Sequence, residues 1–513
     1  MERSSTVGYI LIFLLFIGFY YFNSQNQEEL DAQKRQAEAA MADSITQVEN
    51  NTPTIAENDT LLTSSDENVA DSNSVLTIEK PTEEILTLEN DLVVLELSNI
   101  GGVPKKVNLK EYQRYDSSEL LLFEDNQMQL AYTIPLANGT VINTSSLAFE
   151  AKKVGDNQVV MTAAIANNAR IIQTYTMEQG SYMVDYNVVF ENIRDVVPMN
   201  NRFAELTWTA AIQGQEKTLK DERTATTIYY KYSTDDDVDY LSETSDDDEE
   251  LQSNVKWVSF KQKFFNQTLI NKSHFVEPGA TIEIIEPEDE EAPFVKQAKA
   301  KIFIPLEKNT AEEAMQLYYG PNHYQTLKSF DLSMHKMIPL GWGIFGWVNK
   351  GIVIPIFNWL DNYFVSYGII ILLLTLIIKM ALFFPMFKVY KSTAKMRLLK
   401  PELDEIKERT GGDMQKAQQE QMKLYKQAGV SPLGGCLPQL VQMPILFAMF
   451  RFFPSSIELR QERLWWAEDL SSYDSIYNFP GFEIPFYGDH ISLFTLMMTA
   501  VTLLYTFMNS QNN

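Results

Sequence analysis

Phe364 to Phe387, FVSYGIIILLLTLIIKMALFFPMF, constrains this chain more than any other stretch. As a helix, about 24 residues at ~1.5 Å each span the ~30 Å hydrocarbon core of a bilayer. One charge, Lys379, lies inside it, about nine residues before Lys388 and so roughly 13 Å from the nearer end. An ammonium at that depth costs on the order of 2.5–3.5 kcal/mol unless it meets water or a partner. Thr375 lies one turn earlier on the same helix face. Two readings fit. Lys379 snorkels to the interface on its long stem, or it belongs to a polar face looking into a wet cavity between helices. The second is the expectation carried forward, because charges inside membranes usually mark function.

Charge divides the chain. Asn23 to His335 holds 53 acidic and 25 basic residues, a net of −28, whereas the remainder is +2. An acidic surface repels nucleic acid, so none is expected as a partner. The single cysteine, Cys436, rules out an intrachain disulfide and a cysteine-based metal cluster. An outer domain without disulfides must be held by its own core, which ~300 residues can supply.

In chain order, residues 1–22 place Arg3 before an apolar run ending in Tyr20, Tyr21 and Phe22 rather than in small residues. That pattern predicts an uncleaved transmembrane anchor with its amino terminus inside. Residues 23–80 are polar and poor in aromatics, a disordered tether. From 81 to 335 the pattern becomes short alternating runs: LVVLEL (92–97), QVVMTAAI (158–165), YMVDYNVVF (182–190) and TIEII (281–285). Turn signals separate them at Asn99–Gly102, Ala137–Gly139 and Glu277–Gly279. Such spacing predicts an antiparallel sandwich. The acidic clusters Asp235–Asp239, Asp246–Glu250 and Glu286–Glu291 lack the spaced ligands and glycine of a calcium loop, and are expected as solvated loops. Residues 309–335 suggest a helix-rich close.

Residues 336–362, with Trp342, Phe345 and Trp347, suit an amphipathic helix in the membrane interface, or else a buried domain helix. The span at 363–387 follows. Residues 388–430 carry ten Lys/Arg against six acids, and apolar positions recur at helical spacing on both sides of Thr410–Asp413. This predicts a cytoplasmic helical hairpin, capped by Asp413 in its second half. Residues 431–453 form another span, with Pro438 and Pro444 freeing backbone carbonyls. Gln439 and Gln442 share one face of it. They either form another wall of the cavity lined by Lys379 or bond neighbouring helices as packing glue. A short outer loop at 454–489 and a fourth span at 490–508 complete the chain. The expected fold class is thus a multi-domain membrane protein: an α-helical polytopic membrane domain, a periplasmic all-β domain and a cytoplasmic hairpin.

The blocks KSTAKMRLLKPELDEIKER (391–409), LYKQAGVSPLGGCLPQLVQMPI (424–445) and SSIELR (455–460) closely resemble the YidC family of bacterial membrane-protein insertases in the Oxa superfamily. NIGGVPKKVNLKEY (99–112) and LYYGPNHYQTLKSF (317–330) resemble the family's large periplasmic domain, which implies a β-supersandwich. The resemblance implies a hydrophilic groove open to cytoplasm and lipid, with Lys379 at the position of its basic residue. Many members carry arginine there; lysine keeps the charge but loses the planar fork of donors. Thr375, Gln442 and Met443 fall on groove-facing positions by the same likeness. It implies residence in the bacterial inner membrane, nascent membrane proteins as clients, and membrane lipids, the Sec translocon and a ribosome or targeting machinery at 388–430 as partners. Family members of this type carry further spans after the one at Ile491, whereas this sequence stops at Asn513.

No catalytic set, metal site or cofactor is expected. The four histidines are scattered, and no phosphate-binding loop occurs. Two other functions compete. A carbohydrate-binding or carbohydrate-processing outer domain on a passive anchor requires convergent carboxylates or histidines and leaves Lys379 unexplained. A small-solute transporter usually carries internal repeats, which the sequence lacks.

Overall fold

Alternation of apolar and polar residues builds the outer domain strand by strand. The computed structural model describes residues 82–510 apart from 253, 290–291, 412, 430–436 and 480–487. The expected anchor at 1–22, the tether at 23–80, Cys436 and the first residues of the 431–453 span lie outside the described residues.

Three antiparallel sheets form this domain. A four-stranded meander runs from Ile85 to Phe123. A nine-stranded sheet runs from Asp239–Tyr240 through Thr227–Tyr232, Val255–Lys261, Phe265–Phe275, Ala311–Pro321, Met183–Glu191, Ala169–Met177 and Gln158–Ala166 to Glu150–Val154. A six-stranded sheet runs from Asp247–Leu251 through Ala280–Ile285, Phe294–Pro305, Phe203–Gln213 and Met128–Pro135 to Val141–Asn143. Strand Phe203–Gln213 alternates strictly, with Ala204, Leu206, Trp208, Ala210 and Ile212 buried. Those side chains face the nine-stranded sheet. Trp208 stacks on Phe260 with centroids 3.7 Å apart, and Tyr132 meets the Tyr186 hydroxyl at 3.0 Å. Phe123 of the meander packs edge-on against Tyr319, 5.6 Å away. The expected sandwich is therefore present, and all four quoted runs lie in strands except for their first residues Leu92 and Tyr182, which precede theirs.

Two readings of this domain need correction. Asp246–Glu250 is not simply a solvated loop: Asp247–Leu251 is the edge strand of the six-stranded sheet, paired with Ala280–Ile285. Its exposed carboxylates discourage a further strand from adding to that edge, and Leu251 points into the core. Residues 309–335 are only partly helical. Ala311–Pro321 is a strand paired on both sides, with Met183–Glu191 and Phe265–Phe275. Its AEEAMQL start favours a helix locally, and two waiting strand edges override that preference. Helix Tyr324–Ser329 and a 3₁₀ turn at Met334–Met337 follow.

Beyond Pro339 the described residues are mainly helical, with a short ribbon of Tyr477–Asn478 paired to His490–Ile491 before the last helix. Gly343–Val348, a π turn at Asn349–Val353 and Ile354–Asp361 run on continuously. Val348, Val353, Phe357 and Leu360 are buried, whereas Trp342, Trp347 and Trp359 are exposed. Helix Tyr367–Leu398 is 32 residues long and continues past the apolar stretch into KSTAKMRL. Helices Lys400–Arg409 and Met414–Ala428 follow, joined by an Arg409–Glu420 ion pair. Asp413 accepts hydrogen bonds from the amides of Gln415 and Lys416, both 3.1 Å. Leu437–Ser455 holds Pro444 in its interior, and Leu493–Ser510 is the last helix. Among the described residues, one helix, over Tyr367–Phe384, is long and apolar enough to cross a membrane, and Leu493–Met508 is a shorter apolar one.

Candidate functional site

Helix Tyr367–Leu398 carries three faces. At about 100° per residue, Ile370, Leu374 and Ile378 form one stripe, and all three are buried. Leu372, Leu376, Met380, Phe383 and Phe387 form the opposite, exposed apolar stripe. Thr375 and Lys379 lie between, one turn apart, the first half-buried and the second exposed. The polar strip thus borders both the packed seam and the apolar face. Among the described residues, no hydrogen bond or ion pair engages the Lys379 ammonium.

The buried stripe belongs to the core shared with helix Leu437–Ser455, through Ala448 and Phe452. Phe357 wedges between, stacked on Tyr367 at 5.9 Å and edge-on to Phe452 at 5.3 Å. Asn349 Nδ2 donates to the carbonyls of Leu340 and Ala448, at 2.7 and 2.8 Å, which ties the preceding helix to this one. Gln442 and Met443, both half-buried, lie on the same helix one to two turns before Ala448. The side chain of Gln439 lies outside the described residues. So the structure puts Lys379 and Thr375 on one of two touching helices and Gln442 and Met443 on the other. No hydrogen bond links the two pairs directly.

The attachment of the outer domain was missed by sequence reasoning. Arg460, just after helix Leu437–Ser455, is buried in the β domain. Its Nε donates to Glu216 at 2.7 Å, its two terminal nitrogens to the carbonyls of Gln113 (2.6 Å) and Gln215 (3.3 Å), and its guanidinium lies over the Phe265 ring. Glu216 is pushed above the usual carboxylate range by burial, and Arg460 opposes that shift. Behind it, Glu222 accepts amide hydrogens from Gln215 and Glu216 and is pushed up to about 8, first by burial and then by Glu216. Gly368 marks the close passage of the same loop: a Cβ there would come 2.7 Å from Leu464 Cδ1. Asp474 accepts from Ser492 Oγ and from the amides of Leu493 and Phe494, capping the last helix. The signal available in sequence was a charged SSIELR block directly after an apolar span, which names no partner.

The chain matches two family models: YidC periplasmic domain over residues 85–355 and 60Kd inner membrane protein over residues 359–513. Membrane protein insertase YidC from Parabacteroides distasonis is 36% identical over 543 residues, covering 100% of this chain and 84% of the relative. The protein of that name from Cytophaga hutchinsonii is 38% identical over 528 residues, covering 100% and 83%. Among solved structures, an active YidC insertase with its first transmembrane domain resolved aligns over 77% of both chains at 17% identity, TM-score 0.27. A galactose mutarotase-like protein from Lactobacillus casei aligns over 46% of this chain and 100% of its own at 11% identity, TM-score 0.31. These last two likenesses are slight, whereas identity above one third over the whole chain reflects common descent. The chain belongs to the YidC family of inner-membrane membrane protein insertases.

Proposed function

We propose that this insertase admits its clients through a polar groove between helices Tyr367–Leu398 and Leu437–Ser455, lined by Lys379, Thr375, Gln439, Gln442 and Met443. The observation that carries the reading is the place of Lys379. It is exposed, one turn from Thr375, at the border between a packed seam and an apolar stripe. A nascent segment with a short polar tail must desolvate that tail to cross. A wet groove shortens the dry path, and adjacent lipid then receives the apolar part, which supplies the driving force. The charge at 379 attracts acidic tails.

The reading extends to topology. The helical part is a polytopic membrane domain. Its spans are 1–22, 363–387, 431–453 and 490–508, with 336–362 lying in the interface. The amino terminus and 388–430 lie in the cytoplasm, and 23–335 in the periplasm; the basic excess of 388–430 supports this. The hairpin is the docking surface for a ribosome or targeting machinery, and the Sec translocon is a further partner.

Complementation of a depleted strain at matched protein levels tests the groove. Lys379→Arg retains insertion, since charge and reach survive. Lys379→Glu slows an acidic-tailed client by about tenfold or more, since like charges about 4 Å apart at an effective dielectric near 20 repel by about 4 kcal/mol. Lys379→Leu leaves the protein folded and in the membrane, because it removes a desolvation cost. Equal insertion by all three variants removes Lys379 from the mechanism.

A further inference from the structure

Two cavities meet where the outer domain reaches the helices, and they share Pro339, Gly341, Trp342 and Arg451 in their walls. One, about 380 Å³, is closed by Phe345, Phe447 and Phe450 and is mainly apolar. The other, about 350 Å³, is closed by Tyr229, Tyr240, Glu243, Lys336 and Lys350. An apolar pocket that shares four wall residues with a pocket bearing both signs of charge suits one ligand that is greasy at one end and zwitterionic at the other.

The charges there are unequally satisfied. Lys336 is held by Asp237 at 2.7 Å and by the Asp236 carbonyl. Arg451 and Lys350 are exposed, and neither side chain makes a hydrogen bond or ion pair with another described residue. Glu243 is half-buried. Lys296 donates to its backbone oxygen at 3.0 Å, while its carboxylate accepts no hydrogen bond among the described residues. Tyr229 and Tyr240 stack beside it with centroids 4.9 Å apart; the Lys261 ammonium lies 5.5 Å over the buried Tyr229 ring, which leaves the exposed Tyr240 ring as the aromatic face open to a further ammonium.

The backbone holds this arrangement in place. Gly341 has φ +89°, and a Cβ there would come 3.1 Å from Phe345 Cβ and 3.7 Å from Arg451 Cγ. A Cβ on Gly346 would come 2.3 Å from the Gly341 carbonyl oxygen. The chain therefore doubles back tightly at 341–346, and it leaves Trp342 at the mouth with 78% of its surface exposed. Exposed tryptophans are the side chains that settle at a membrane–water interface.

We propose that this seam binds one amine-bearing zwitterionic phospholipid of the phosphatidylethanolamine type. Arg451 and Lys350 hold its phosphate. Glu243 and the exposed Tyr240 ring hold its ammonium. An acyl chain lies along Phe345, Phe447 and Phe450. An acidic headgroup such as phosphatidylglycerol satisfies the cations but brings no ammonium to Glu243, whose present electrostatic partner, Lys261, is buried behind Tyr229, so the site discriminates by the amine.

The test uses the full chain, reconstituted into vesicles of equal parts phosphatidylethanolamine and phosphatidylglycerol, extracted in mild detergent and examined by native mass spectrometry. The wild-type protein retains one phosphatidylethanolamine over phosphatidylglycerol by about threefold, the size one partly exposed ion pair supports. Glu243→Gln keeps a retained lipid but brings the ratio to about one. Arg451→Gln, and independently Lys350→Gln, reduces the retained lipid itself by about threefold. All three side chains are partly or fully exposed, and thermal melting of each variant confirms its fold. Wild-type retention in the ratio of the vesicle, a retained peptide in place of lipid, or a wild-type ratio in Glu243→Gln overturns the proposal.

Discussion

The outer β domain and the helical region bury their large side chains in opposite ways. In the β domain, Trp208, Tyr132, Tyr186 and Phe260 lie between sheets with almost no exposure. In the helix Tyr367–Leu398, Leu376 is 54% exposed and Phe384 77% exposed, and they line up on one face. The β domain completes its apolar contacts within the chain. The helical region leaves a continuous apolar stripe that water would penalise and hydrocarbon would not. Polar groups differ too. Many buried ones in the β domain are partnered, as Thr268 is by Ser259 and Asn266, and Asn266 by Asn322, although the side-chain oxygens of Gln262 and Gln267 and the Tyr319 hydroxyl find no hydrogen-bond partner among the described residues. Lys379 has no such partner among the described residues.

The largest expected effect tests the contrast directly. Trp208→Ala removes a ring stacked between sheets and lowers β-domain stability by about 3–5 kcal/mol. Leu376→Ala on the exposed stripe changes the stability of the reconstituted protein by less than about 0.5 kcal/mol. Denaturant titration of the full chain measures both, and comparable losses would erase the distinction between the two regions.

The junction comes next, where the two regions share one ion pair. Arg460→Met leaves Glu216 buried without its cation and costs about 3–5 kcal/mol. Replacing both, Arg460→Met with Glu216→Leu, costs clearly less than the two single changes together, because no charge is then stranded. A double-mutant cycle measures this, and additive losses would mean that the pair does not couple the regions.

The smallest effect is a slope. Burial pushes Glu222 from the usual 4.5 up to about 8. Between those values the folded chain holds a proton that the unfolded chain has released. Stability of the β domain therefore falls as pH rises from about 5 to 8, by on the order of 1 kcal/mol per pH unit. Glu222→Gln flattens that slope. Thermal melts of both proteins across the range check it, and a slope that persists in the variant assigns it to another group.

Several elements were legible because they depend only on near neighbours in the chain. The alternation in QVVMTAAI and YMVDYNVVF specifies strands with one buried face. The one-turn spacing of Thr375 and Lys379 specifies a shared strip. Asp413 after a glycine pair specifies a helix start. Other elements misled for the same reason. Residues 311–321 look helical by composition, and Asp246–Glu250 looks like a solvated loop. Both become strands because a partner edge, absent from any local window, offers a full set of hydrogen bonds.

By itself, then, the sequence determined that one part of this chain is a sandwich with its own core, that another carries a membrane-length apolar helix with a single charge, and which family the blocks at 391–409, 424–445 and 455–460 resemble. Only the tertiary structure decided which face of that helix is packed and which is open, since Ile370, Leu374 and Ile378 are no more apolar than Leu372 and Leu376. It also decided that Arg460 finds Glu216, 244 residues earlier, inside the outer domain. Periodicity states that a side chain has a face. Which other surface meets that face is settled by the packing of distant segments, where burial makes an unpartnered charge costly enough to select one arrangement.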